Sequence, residues 1–120
     1  MKYMMLIYGQ EGGFGDMPED QQQAVLKSWF DYSEDMEKAG VMVAGDALQR
    51  TQSATTVRVQ DGETLTTDGP FAETKEQLGG YYLIEAESLD EAIEWAAKIP
   101  AASDGSIEVR PVMVFQEANA

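Results

Sequence analysis

The chain has 120 residues, enough for one domain whose core needs neither disulfides nor a structural metal. It contains no cysteine and no histidine, which excludes thiolate chemistry, a histidine general base, Ser-His and Cys-His nucleophiles and the usual zinc sites. Twenty-two acidic residues against eight basic ones give a formal net charge of −14, which argues against nucleic acid or an anionic membrane as partner, since phosphate contacts need clustered Lys and Arg.

Tyr3 to Tyr8 opens the chain as a strand that is apolar on both alternations, Tyr3, Met5 and Ile7 on one face and Met4, Leu6 and Tyr8 on the other. Such a strand expects cover on both sides. The glycine-rich stretch Gly9 to Gly15 reads as a loop. A helix is predicted from Asp16-Met17-Pro18-Glu19, with Asp16 as the acid at its N-cap. Val25, Trp29, Tyr32, Met36 and Ala39 form its buried stripe, Glu34 and Lys38 an exposed pair, and Gly40 its stop.

Val41 to Leu48 reads as the second strand. Thr55–Gln60 and Glu63–Thr67 flank Asp61-Gly62, the strongest short-range hairpin signal. Gly80 to Ala86 is a further strand. Ser88-Leu89-Asp90-Glu91 reads as a capping box for a helix whose stripe is Leu89, Ala92, Ile93, Ala96 and Ile99, ended by Pro100. Ile107 to Phe115 is the last strand, and 116–120 a short polar tail.

With the hairpin removed, the order is βαββαβ, an α+β, ferredoxin-like arrangement in one domain spanning 1–120. Its antiparallel sheet carries both helices on one face, so the other face needs a partner. Because the first strand is apolar on that side too, the expected state is a homodimer closed sheet to sheet. No run approaches a membrane span, and the first eight residues lack a cleavage site, so a cytoplasmic protein is expected. No Walker, Rossmann or metal-loop pattern is present, so no cofactor is expected. Any metal would be a hard cation held by carboxylates and carbonyls.

The segment Asp68-Gly69-Pro70-Phe71-Ala72-Glu73-Thr74-Lys75-Glu76-Gln77-Leu78-Gly79-Gly80-Tyr81-Tyr82 carries the most specific signal. With the opening strand, Val41 to Gly45 and Glu108 to Val112, it resembles the YCII-related family, in the bacterial branch called DGPF after residues 68 to 71. The resemblance implies a dimeric α+β barrel, an architecture that hosts isomerases and cofactor-free monooxygenases. It also implies a second reading, a regulatory module acting with a sigma factor of the extracytoplasmic-function type, to which an acidic surface would suit. Some relatives pair a histidine with the aspartate, and this chain has none.

Asp68 is the candidate catalytic residue, placed where the chain leaves the hairpin on a turn stiffened by Gly69 and Pro70. As a turn former it would accept bonds from the amides that follow; as a base it would need burial to raise its pKa. Phe71 reads as an anchor packing the loop on the domain. Lys75, between Glu73 and Glu76, is either a solvated turn charge or a partner for Asp68 or for a small anionic ligand. Gly79 and Gly80 mark a bulge or the close approach of another group, a ligand or equally the partner sheet. Arg110, among apolar neighbours on its strand, needs a carboxylate from Asp68, Asp46 or Glu108, or from a ligand. The function read here is a small-molecule-binding protein or small enzyme with its pocket near Asp68–Phe71.

Overall fold

The computed structural model describes residues 1–115, so the polar tail lies outside the described residues. Eight elements follow one another: β1 (Lys2–Gly9), α1 (Glu19–Lys38), β2 (Met42–Ala47), β3 (Thr55–Gln60), β4 (Glu63–Asp68), β5 (Gln77–Glu85), α2 (Leu89–Ala97) and β6 (Ser106–Pro111). Short 3₁₀ turns at Thr51–Ser53 and Pro100–Ser103 lie between them. The main sheet has the order β2-β5-β1-β6 with every pairing antiparallel. This is the ferredoxin-like arrangement, with β3 and β4 standing apart as their own two-stranded sheet.

Period-2 alternation divides the sheet into two unlike faces. Tyr3, Met5 and Ile7 of β1, with Tyr82 and Ile84 of β5, are buried against Tyr32 and Met36 of α1 and Ala92 and Ala96 of α2. Met5, Met36 and Ile84 lie at its centre, fully enclosed. The Tyr32 ring meets Tyr82 edge-on at 5.4 Å and Trp95 at 6.2 Å, and its hydroxyl donates to the Trp95 carbonyl at 2.7 Å. The residues in between, Met4, Leu6 and Tyr8 of β1 and Leu83 of β5, are half-buried on the face that carries no helix.

Several sequence expectations shift in detail. Helix α1 begins at Glu19 with Pro18 at the cap position, so Asp16 is not the N-cap. The cap falls two residues later because Pro18 holds Met17 out of the helical region, and the Gln22 side-chain amide donates to the Phe14 and Met17 carbonyls at 3.0 and 3.1 Å. The Glu34–Lys38 pair forms at 2.9 Å, and Gly40 turns the chain out of the helix with φ of +71°. On α2, Ser88 accepts from the Glu91 amide at 3.2 Å, while the Glu91 carboxylate accepts from Glu87 rather than from Ser88. Leu89 and Ile93 are exposed, because the nine-residue helix turns only Ala92 and Ala96 squarely to the sheet.

β5 starts earlier than expected because β1 runs on to Gly9 and offers it partners down to Gln77. β6 ends earlier, at Pro111, since the amide of Val112 already bonds Lys2 and β1 has little backbone left beyond it. Met113, Val114 and Phe115 are therefore exposed rather than part of a strand. Asp61 and Gly62 both have positive φ, 51° and 80°, the turn that suits the right-handed twist of a hairpin.

Candidate functional site

Register across the main sheet assembles the candidate site on the face without helices. Asp46 of β2 pairs with Tyr81 of β5, Tyr81 with Leu6 of β1, and Leu6 with Glu108 of β6. These four side chains therefore form one row across the sheet. The Tyr81 hydroxyl donates to Asp46 Oδ2 at 2.7 Å. This bond, and the carboxylate's negative charge, raise the Tyr81 pKa above its ordinary value, so the phenol keeps its proton.

One step toward the ends of β1 and β2, Tyr8 pairs with Ser106 of β6, whose hydroxyl donates to Glu76 Oε1 at 2.7 Å. On the other side of the row, Ala44, Leu83, Met4 and Arg110 form an almost wholly apolar strip with a cation at its edge. The face thus has an apolar floor of Met4, Leu6 and Leu83, and a polar end built from Tyr8, Asp46, Glu76 and Tyr81. Asp46 and Tyr81 together offer a proton acceptor beside a protonated donor, the pairing that acid–base work on an enol, phenol or ketone needs.

Gly80 lets β2 and β5 come close beside that bond, while Gly79 adjusts the pairing of β5 with β1. Between Ile7 and Tyr8 the register with β5 slips, Ile7 facing Gly80 and Tyr8 facing Leu78, which leaves Gly79 as the bulged residue. Gly80 is buried against β2, where a Cβ would stand 2.8 Å from the Asp46 carbonyl oxygen. Gly79 forms a bulge, and the group that closely approaches Gly80 is β2 of the same chain rather than a ligand or a partner sheet.

The other expected residues are not gathered around Asp68. Its turn is held as expected: the Gly69 amide donates to the Ala54 carbonyl at 2.7 Å, and Thr56 donates to the Gly69 carbonyl at 2.8 Å. Yet among the described residues Asp68 itself, exposed at the end of β4, accepts neither from the amides that follow nor from Lys75 or Arg110. Arg110 is taken by Glu108, two residues away on the same face, with its Nε donating at 2.8 Å. Lys75 is solvent-exposed.

Phe71 is not an anchor: it is 81% exposed, because the loop after β4 stands off the sheet and offers the ring nothing to pack on. Two concavities among the described residues lie elsewhere. A groove of about 800 Å³ runs beside Tyr32 and Trp95, and one of about 380 Å³ lies between Arg50 and the Gly12–Asp16 loop. Among the described residues no cluster of three or more carboxylates is placed to hold a metal, and no helix is long and apolar enough to cross a membrane.

In the sequence Asp46 stands out only as a partner for Arg110, and Tyr8 and Tyr81 only as strand residues. The available signal was an acid in a strand otherwise built of small apolar residues, but its meaning depends on register. Comparison with known proteins adds the following. The YCII-related domain matches residues 1–116. An uncharacterised protein of Rhizobium meliloti (strain 1021) is 38% identical over 118 residues, covering 97% of this chain and 95% of its own. Among solved structures, the 5-chloro-2-hydroxyhydroquinone dehydrochlorinase of Burkholderia phenoliruptrix AC1100, in complex with 2,5-dihydroxybenzoquinone, superposes with a TM-score of 0.53 over 94% of both chains at 16% identity.

Proposed function

The chain belongs to the YCII-related family, and we propose that it binds a small hydroxylated or keto ring compound on the open face of its sheet, closed by a second copy of the chain. The observation that carries this reading is the Tyr81–Asp46 hydrogen bond at 2.7 Å, set at the edge of an apolar floor. An apolar sheet face with a few convergent polar groups is what a ligand site needs once water is excluded, and a facing copy excludes it. Two acids, Asp46 and Glu76, border the polar end, so a neutral ring hydroxyl or carbonyl suits that end. At the opposite edge Arg110 is held by Glu108, so an anionic substituent there has to displace that carboxylate.

In a closed pair the chemistry open to these residues is proton transfer. Asp46 accepts a proton from a ring hydroxyl or an enolisable position, and the Tyr81 hydroxyl, released from the carboxylate that this neutralises, turns to donate its one proton in a hydrogen bond to the oxygen on which charge develops. Asp68 on its stiff turn, with Phe71 and Lys75, is left bare by the single chain and forms the rim that the second copy covers. The dehydrochlorinase shares the architecture, and the hydroxylated ring bound in its structure is compatible with this ligand class; its reaction is not transferred.

Thermal unfolding of the full chain with 2,5-dihydroxybenzoquinone and related hydroxylated rings tests the proposal. Stabilisation should appear with the wild-type protein and disappear in both Asp46→Asn and Tyr81→Phe. Equal stabilisation of those variants, or none of the wild type by any of the rings, would contradict it.

A further inference from the structure

We propose that the β3–β4 hairpin is a dimer arm, whose Val57–Val59 face packs on the second copy and completes the enclosure of that copy's open sheet face. The inference rests on the sheet-to-sheet reading above and adds a second contact to it. The hairpin is a sheet of its own, joined to the domain through its base at Ala54 and Gly69, and no strand or helix packs substantially against it. Such a two-stranded ribbon is marginal in water unless something covers one of its faces.

The ribbon's two faces differ in a way that marks which one is covered. By register, Val57 pairs with Thr66 and Val59 with Thr64, giving a face of Val and Thr that carries no charge above Asp68 at its base. The other face bears Arg58 and Glu63. Val57 and Val59 are 59% and 68% exposed, an uncharged patch on a chain whose charged residues make up 25% of the total. Two copies that each carry −14 repel one another, so their contact must be made by patches of this kind.

Size selects a second copy as the occupant. Four strands at about 4.8 Å spacing and about 20 Å length give the open face a plan area of roughly 400 Å², about half of the ~800 Å² per partner that a stable interface buries. The arm supplies further area and the reach. The molecule measures 51 × 44 × 18 Å, and its radius of gyration is 17.1 Å, against about 14 Å for a compact domain of this length. It is a thin body with an extended limb, and a ribbon of about 20 Å is long enough to cross a neighbouring four-stranded sheet.

Sedimentation equilibrium of the full chain tests this, with Val57→Lys/Val59→Lys for the arm and Leu6→Lys/Leu83→Lys for the open face. The wild type should sediment at twice 13.2 kDa, and the arm variant should weaken the dimer by roughly a hundredfold or more, as loss of two buried valines requires. A dimer constant unchanged in the arm variant overturns the arm, even where the open-face variant dissociates. Dissociation of both variants upholds the arm, dissociation of the arm variant alone overturns the enclosure together with the sheet-to-sheet reading, and so does a wild type that stays monomeric. Hydrogen exchange reads the same contact without substitution: amides at 55–68 should gain protection as chain concentration rises, and protection independent of concentration would overturn the arm.

Discussion

Asp46 and Tyr81 face one another across β2 and β5, on the side of the sheet that no helix covers, with the phenol donating to the carboxylate at 2.7 Å. Gly80 lets the β2 backbone approach beside the pair, and a bulge in β2 between Met42 and Ala44 sets Asp46 opposite Tyr81. Strand register, bulge and site therefore form one structural unit.

The pair has a spectroscopic signature. Tyr81 should ionise above the ordinary tyrosine range, because its hydrogen bond to Asp46 and the carboxylate's charge both favour the protonated phenol. With the folded-state pKa raised, the stabilisation is fully present below the unfolded value of about 10 and is lost as pH climbs through the folded value. Ultraviolet titration of Asp46→Asn should show this tyrosine returning toward its ordinary range. An unchanged titration curve would mean that the bond does not persist in solution.

Gly80→Ala tests the close approach. Its methyl group would meet the Asp46 carbonyl oxygen, which is backbone and cannot swing aside, so about 1–3 kcal/mol of stability should be lost. Denaturant unfolding measures the loss. Gly79→Ala, where an added Cβ has only the Ile7 carbonyl at 3.9 Å near it, should cost less.

The core should respond as a closely packed one does. Met36→Ala and Ile84→Ala each remove a fully enclosed side chain between α1 and the sheet, and each should cost about 2–5 kcal/mol in chemical unfolding. A cost below about 1 kcal/mol at both positions would mean that the two layers are not packed as described.

Alkaline stability should depend on Tyr32. Burial, and then its neighbour Tyr82, push the Tyr32 pKa upward, so in the folded chain it remains protonated where the unfolded chain ionises, above about pH 10. The unfolded state then holds fewer protons, and stability falls as pH rises. Tyr32→Phe should flatten that fall. Its cost at neutral pH should be about 1 kcal/mol, since the Trp95 carbonyl keeps the Lys98 amide as a donor.

Much of the fold was legible in the chain because local chemistry agrees with it. The two-sided apolar run of β1, the Asp61-Gly62 turn, the Glu34–Lys38 pair and the Gly40 stop each have a short-range cause. Boundaries moved where tertiary partners decide them: β5 starts early because β1 provides pairing, and Pro18 rather than Asp16 sits at the cap. The candidate site was less legible. Asp68 stands out for its turn chemistry, whereas the Asp46–Tyr81 pair joins residues 35 positions apart through a register that shifts by one residue between Met42 and Ala44. Phe71 looked like an anchor because aromatics usually find cover, yet its loop has no layer of the same chain beneath it.

The central claim is that the open sheet face is a ligand site. An amide NMR titration of the full chain with 2,5-dihydroxybenzoquinone tests it most directly. Shifts should concentrate at Leu6, Tyr8, Asp46, Gly79 and Tyr81 and be lost in Asp46→Asn. Shifts centred instead on the groove beside Tyr32 and Trp95, or on the Arg50 loop, would contradict it.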